Sequence, residues 1–508
     1  MLARDLQPEK PYFATKADEG WGARMLRTGD QYRESIRDGR EVWIDGERVA
    51  DVTRHPAFKP IVDVRARMYD MAHEARYRAV MNYDSGPGAQ SSRATKPPTS
   101  QQDWHDKRAW VDAVMNDIGG VVIRVGDETV GEMWSLYDGR DVLNEIDPRF
   151  SENIARHIAR AHERDLFHVS ANTDPKGDRS KRPQDQDPDM LLHAVKETDA
   201  GIVVRGAKYE TAAAYANQAF VKPTIANWGD DKLSDYAVGF IAPMGARGIK
   251  HICRSGFAGR RPTIDYPIAN RFDEIDTLVI FDDVLIPWED VLFYRHTRAA
   301  TYIRGTLHRY SAFPYVQRIQ FLADLLIGVA LFNVRQTGLD KQQAVREKLA
   351  ELACYRETIN AHLTASIALA QPSPGGLLMP NQSLLYTGRV QACTKLPAMM
   401  HLARELCGGQ ICVTPDSASF SAEALKPWLE KFYTVNEFWS AEDRRRLLAF
   451  ARDLLNSDYA GHRVTFELFA QSPPYAHLNA VYNNFDFAGP LGFTKRAADL
   501  SDRVMEQR

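Results

Sequence analysis

Apolar positions recur every three or four residues through much of the first third of the chain, as in DVRARMYDMAHEARYRAVMNY over residues 63–83. That spacing puts them on one helix face and predicts a helical N-terminal domain over residues 1–161. The stretch SGPGAQSSRATKPPTSQQ, residues 85–102, breaks the pattern and reads as a long surface loop, of the kind that serves as a lid or binding segment. Over residues 162–300 the runs become short and rich in Val, Ile, Tyr and Phe: GIVVRGAKYET, YAVGFIAPM and TLVIFDDVLIP. They predict a β-barrel or sandwich, reached through the polar connector at residues 171–189. From 301 to 508 helical spacing returns in segments 318–338, 342–370, 389–409 and 441–459. Two of these are apolar on more than one face, which predicts a four-helix bundle that also packs against other copies, a homotetramer built as a dimer of dimers. The aromatic tail YNNFDFAGPLGFTKRAADL, residues 482–500, is expected to wrap a neighbour or cap the site.

With 508 residues the chain has room for two to four packed units, and 44% hydrophobic with 26% charged residues is ordinary for a folded globular protein. A net charge of −3 supplies no field to gather nucleic acid or an anionic membrane. Cys253, Cys354, Cys393, Cys407 and Cys412 include no CxxC pair, so neither a disulfide framework nor a metal site is expected, and a cytoplasmic location fits. No uninterrupted apolar run reaches the length of a spanning helix, and MLARDLQPEKPYF lacks the apolar core of a signal peptide.

One stretch stands out: RFDEIDTLVIFDDVLIPWEDVLFYR, residues 271–295. TLVIF reads as a buried strand that Pro287 ends, Trp288 and Glu289 as the turn out of the sheet, and Arg271, Asp273, Glu274 and Asp276 as the pins at its start. Together with KETDAGIVVRGAK (196–208), FIAPM (240–244) and RTGDQYRESIRDGREVWIDGERVADVTRHPAF (27–58), it resembles the 4-hydroxyphenylacetate 3-hydroxylase family. The resemblance implies an α+β, acyl-CoA dehydrogenase-like fold, with flavin in the crevice between sheet and bundle. It also implies the oxygenase component of a two-component monooxygenase. Such an enzyme takes FADH2 from a separate NAD(P)H:flavin reductase, reacts it with O2 to a C4a-hydroperoxyflavin, and puts one oxygen into an aromatic, phenolic or substituted phenolic, substrate. No strand–GxGxxG–helix unit occurs, consistent with reducing equivalents arriving on the flavin. Aromatic amines and N-heterocycles remain open as substrates. So do an acyl-CoA dehydrogenase-like flavoprotein and a non-catalytic flavin-binding scaffold. A cluster-dependent dehydratase of the same ancestry would need cysteines ahead of Cys253, and there are none.

By the same resemblance, His168 falls where the family's substrate-contacting histidine lies, and Arg124 where an arginine opens an RTPDY-like motif facing substrate and flavin. Either would steer charge on a phenol oxygen. This chain continues Val125, Gly126, Asp127, Glu128, so Glu128 stands where a tyrosine is expected; as an anion it would oppose an anionic substrate. His296 is a third catalytic candidate. For the flavin, the resemblance points to Thr211, Asn217 and Gln218 at the ring edge. Gly408, Gly409, Thr414 and Ser417 are candidates for the ribityl and diphosphate groups, with Arg318 as a diphosphate partner.

Overall fold

The computed structural model describes residues 26–501 except 87, 179 and 224–230, together with residue 503. In chain order come β1 (Glu41–Ile44), β2 (Glu47–Val49), α1 (Lys59–Met71), β3 (Asn82–Gly86), β4 (Ala89–Ser92), α2 (Gln101–Ile118), α3 (Asp127–Asp138) and α4 (Pro148–Arg164). The strands that follow are β5 (His168–Ala171), β6 (His193–Thr198), β7 (Gly201–Thr211), β8 (Gln218–Val221), β9 (Val238–Pro243), β10 (Ile249–Cys253), β11 (Asp276–Pro287) and β12 (Val291–Tyr294). The bundle consists of α5 (His308–Gln336), α6 (Gln343–Ala368), α7 (Gln382–Cys407), α8 (Ala441–Asn456) and α9 (Asp458–Phe469).

Local chemistry sets the helix ends. Ser100 caps α2 in a reciprocal box with Asp103, and Gly119 ends it at φ 64. Asp147 caps α4, with Pro148 in its first turn, and Ser440 caps α8.

Six strands run β2-β1-β10-β11-β7-β6, and four run β12-β9-β8-β5. The two sheets face each other, with the rings of Phe240 and Phe281 edge to face at 5.9 Å. Along β11 the residues Thr277, Val279 and Phe281 point inward, and after the bulge Val284 and Ile286 do. The one-residue slip, with Asp283 at φ 50, keeps apolar side chains on the core face over the whole strand.

Several expectations change. The N-terminal segment is not wholly helical, because β1 pairs in parallel with β10 and so joins the main sheet. Residues 85–102 are not an open loop: β3 and β4 pair as a hairpin, Arg93 bonds Asp106, and the last residues begin α2. The tail forms the helices Pro474–Asn484 and Ala488–Ala497, whose aromatic residues are exposed. The run Thr297–Gln336 has the length and hydropathy of a membrane span. Yet Ile319, Leu322, Leu326 and Val329 are buried and α5 packs against α6 and α7, so it is the core helix of the bundle.

Candidate active site

Between sheet and bundle lies α3, every residue of which is buried. Gly126 sets its start with φ 99, and a Cβ there would lie 3.3 Å from the Phe167 ring and 3.5 Å from the His168 carbonyl oxygen. The Ile123–Gly126 loop is therefore pressed against the beginning of β5. Gly131 permits a second close approach, since its Cβ would stand 3.0 Å from the Ser311 nitrogen of α5.

Glu274, from the charged run ahead of β11, holds that loop. Its carboxylate accepts the N–H of Ile123 at 2.9 and 3.0 Å and that of Arg124 at 2.6 Å, and pairs with Arg463 of α9 at 3.3 Å. The Arg124 side chain lies 3.5 Å from Glu210 at the end of β7. Ser170 of β5 gives its N–H to Glu210 at 3.4 Å and its hydroxyl to Glu132 of α3 at 2.5 Å. Lys222, one residue past β8, donates to Glu132 at 2.8 Å and also reaches the Ser170 hydroxyl. From α5, the fully buried Arg318 binds Glu128 at 3.1 Å, the Ile123 carbonyl at 2.5 Å, and Asp127.

In this seam the carboxyls of Asp127, Glu128, Glu132, Glu210, Glu274 and Glu467 outnumber the bases Arg124, Lys222, Arg318 and Arg463. Low dielectric makes the surplus charge costly, and protons take it up. Burial pushes Glu128 up to about 8 and Glu210 up to about 7, and raises Glu467 as well. Burial likewise pulls His168 down to about 4, so its ring is neutral. Its Nδ1 lies 2.9 Å from the Leu166 carbonyl, and its Nε2 3.0 Å from the side-chain amide of Gln218.

The structure thus gathers Arg124, Glu128 and Arg318 at the start of α3, against which the backbone of His168 packs, while the His168 ring pairs with Gln218 of β8. Two roles change. Arg318 does not stand free for a diphosphate, because the Asp127 carboxylate, the Glu128 carboxyl and a backbone carbonyl hold its guanidinium. Glu128 is not the repelling anion expected of it, because burial keeps its proton on. Thr211 donates to Asp276 at 2.6 Å. Asn217 sits at a structural corner: its Oδ1 accepts from Arg27 and from the Phe167 N–H, and its Nδ2 donates to Ser35. His296 is a helix cap, with Nδ1 accepting the Ala299 N–H at 2.9 Å at the start of the helix Thr297–Thr306. That bond explains its place better than a catalytic role.

Gly408, Gly409, Thr414 and Ser417 lie elsewhere, at the end of α7 and alongside α8. Gly408 has φ 72, and a Cβ on either glycine would meet open space. Thr414 bonds the Gln410 carbonyl, and Ser417 donates its hydroxyl to Asp265, which Arg445 also holds.

Sequence reasoning passed over Glu132, Glu210, Lys222, Glu274 as a site residue, Arg463 and Glu467. One signal was present: in β7, Lys208 and Glu210 share the inward parity of Ile202 and Val204, and a charge on a buried strand face marks a site or a buried pair.

A flavin's polar rim alternates N–H and C=O groups, and the seam has unmatched partners for such an edge. Among the described residues, Glu128 Oε1, Thr129 Oγ1 and Arg463 Nη2 are buried without a hydrogen-bond partner, and Arg124 Nε meets only Glu210, at 3.5 Å. The donor and acceptor set fits the group.

Comparison with known proteins agrees. The family model "4-hydroxyphenylacetate 3-hydroxylase N terminal" matches residues 28–293, and its C-terminal counterpart matches residues 297–499. The oxygenase component of 4-hydroxyphenylacetate 3-monooxygenase from Thermus thermophilus is 28% identical over 91% of this chain and 95% of its own. The oxygenase component of 4-nitrophenol 2-monooxygenase from a Rhodococcus species is 30% identical over 87% of this chain and 85% of its own. A crystal structure of a 4-hydroxyphenylacetate 3-monooxygenase oxygenase component with FAD and 4-hydroxyphenylacetate superposes with a TM-score of 0.86 at 28% identity, covering 93% of this chain and 98% of that one. The fold is accordingly the acyl-CoA dehydrogenase-like one that the resemblance implied. On two matched halves that span nearly all of it, the chain belongs to the 4-hydroxyphenylacetate 3-hydroxylase family.

Proposed function

We propose that this chain is the oxygenase component of a two-component monooxygenase, inserting one oxygen atom of O2 into the ring of a phenol. A separate NAD(P)H:flavin reductase supplies its FADH2. The observation that carries this is the buried set of Arg124, Glu128 and His168 at the seam, in a chain whose relatives include the oxygenase components of 4-hydroxyphenylacetate 3-monooxygenase and 4-nitrophenol 2-monooxygenase. When bound, reduced FAD supplies the activation of O2 and the oxygen atom transferred. Gln218 and Arg463 are assigned to its ring edge, and the open backbone at Gly408 and Gly409 to its phosphate end.

The protein's own task is to make the ring electron-rich and keep water out. Burial works against the charge on Arg124, and the carboxylates around it, Glu210, Glu132 and Glu274, hold it cationic. A fixed cation beside a phenol oxygen favours the phenolate, and negative charge on that oxygen raises electron density ortho and para to it. Neutral His168, oriented through both ring nitrogens, adds no second charge to the site.

An outer groove of about 570 Å³, lined by Ile264, Leu325, Val329, Phe332, Leu447 and Phe450, supports a homotetramer. So do the exposed rings of Trp428, Phe438, Tyr482 and Phe493, surface that other copies would cover. The cytoplasm suits the five free cysteines.

The test supplies purified protein with a generic flavin reductase, NADH, O2 and a panel of phenols, and scores ring-hydroxylated product against H2O2. Product coupled to NADH oxidation is expected for at least one phenol. Tight FADH2 binding with H2O2 as the sole outcome across the panel contradicts the proposal.

A further inference from the structure

Helix α1 buries Ile61, Val62, Met68 and Tyr69, and Arg65 stands on the same face, three or four residues from each. At 8% exposed it is a cation in a core position, and among the described residues its hydrogen bonds go to no carboxylate. Ring faces and neutral acceptors hold it instead. Its guanidinium carbon lies 4.4 Å from the centre of the Phe167 ring and 4.6 Å from that of Tyr69. Nη1 donates to the Val125 carbonyl and lies 3.7 Å from Met68 Sδ, and Nη2 donates to the Tyr69 hydroxyl at 3.0 Å. Tyr69 passes the hold on, giving its O–H to the Asp165 carbonyl at 2.9 Å in the turn before β5, where Asp165 has φ 46.

Val125 follows Arg124 in the chain, and Phe167 precedes His168. One buried side chain therefore grips the neighbours of both residues assigned to the phenol oxygen. We propose that Arg65 is a positioning residue: by holding the Val125 carbonyl against the Phe167 ring, it fixes the spacing between Arg124 and His168 and so the point at which a phenol oxygen is received. The inference rests on the proposed function and deepens it. Glu274 constrains the same loop differently, since it takes the N–H groups of Ile123 and Arg124 and ties them to Arg463 in the bundle. Arg65 ties the loop to β5. The guanidinium suits this work because its planar fork sends N–H groups to a carbonyl and a hydroxyl at fixed angles while its faces stack on rings, whereas a lysine ammonium is a flexible, strongly hydrated point charge. A misplacement of about 1 Å at the receiving point can cost about 100-fold in productive transfer, with the activated oxygen then lost as H2O2.

The test compares wild type with R65M, R65K and R65A, each loaded with FADH2 and given O2 and the phenol that wild type hydroxylates best. R65M keeps bulk against Phe167 and loses the N–H groups. It should bind FADH2 and take up O2 like wild type, while coupled product falls about 10- to 100-fold and H2O2 replaces it. R65K should stay at least about threefold below wild type. R65A opens space beside the cavity lined by Arg65, Tyr69, Ser92, Trp110 and Asp165, so millimolar methylguanidinium should raise its product several-fold and leave R65M unchanged. A double-mutant cycle separates positioning from mere stability. In an Arg124→Ala background, R65M should lower coupling by less than about twofold more, while its effect on the urea midpoint is the same in both backgrounds. Hydrogen exchange on the protein without flavin or phenol reads the clamp itself: in R65M the amides of residues 121–126 and 165–170 should exchange faster together, with α6 and α7 unchanged. Wild-type coupling in R65M overturns the inference, as does a loss that adds in full to that of Arg124→Ala, or unchanged exchange in both segments. If R65M does not fold, R65K decides by the same readouts. Wild type that hydroxylates no phenol overturns the proposed function instead, and exchange then still decides on Arg65, so the two failures are distinguishable.

Discussion

Gly126 shows how little separates the site from collapse. With φ 99 and its Cα hydrogen facing the Phe167 ring and the His168 backbone, it carries Arg124 on one side and Glu128 on the other. Gly126→Ala should cost about 1–2 kcal/mol from backbone strain alone, read as a lower urea midpoint with unchanged slope. Arg124→Ala and His168→Ala should act on chemistry instead. Each is expected to lower hydroxylation about 10- to 100-fold while O2 uptake by the reduced enzyme continues and H2O2 replaces product. Wild-type coupling in both variants would remove these residues from the mechanism. Arg124 and His168 are legible as candidates in the sequence because each lies in a short motif of fixed spacing. Arg318, Asn217 and His296 have partners that sequence spacing does not show. Each is a polar residue near a motif, and only three dimensions reveal that Asp127 and Glu128, Ser35 and Phe167, or the Ala299 N–H already claim it.

The run DEID ahead of β11 illustrates what an element adds. Asp273 accepts the Phe257 N–H at 2.6 Å and an Arg254 N–H at 2.6 Å, and Asp276 holds Thr211, Arg254 and His462 of α9. Between them Glu274 ties the Arg124 loop to Arg463. The expectation that these acids pin the start of the strand is right, and their reach is longer, since they lock sheet, loop and bundle together. Glu274→Ala leaves Arg463 buried with only Glu467 and the Tyr459 hydroxyl, and frees two backbone N–H groups. The expected loss is about 3–5 kcal/mol of stability, measured by denaturant unfolding. In Glu274→Gln the amide oxygen still accepts from the loop, and the expected loss is about 1–3 kcal/mol. Equal losses in the two variants would show that the charge of Glu274 does not matter. β7 and β11 were legible because an apolar alternation closed by Gly or Pro leaves few other readings. The parallel pairing of β1 with β10 was not, because it joins residues some two hundred positions apart and neither strand encodes its partner.

Stability should depend on pH from both sides. His168 and His251 are pulled down to about 4 and His477 to about 3, each by burial first. Their contribution is complete above about 6.5, where the unfolded rings are neutral too, and is lost as pH falls through about 4. Glu128 and Glu210, raised to about 8 and about 7, act in the opposite sense. Their contribution is full below the ordinary carboxylate value and is lost as pH rises through 7 to 8. The melting temperature should therefore peak near pH 6 to 7 and fall on either side, and a flat profile from pH 4 to 9 would contradict the buried, neutral assignments. The same packing of sheet against bundle that shifts these groups builds the closed seam on which oxygen transfer depends. The most direct measurement of that claim is a single turnover: enzyme loaded with chemically reduced FAD and a phenol, without nicotinamide or reductase, mixed with ¹⁸O2. One ¹⁸O atom in the ring-hydroxylated product is the result predicted; unlabelled product, or all of the label in H2O2, would contradict it.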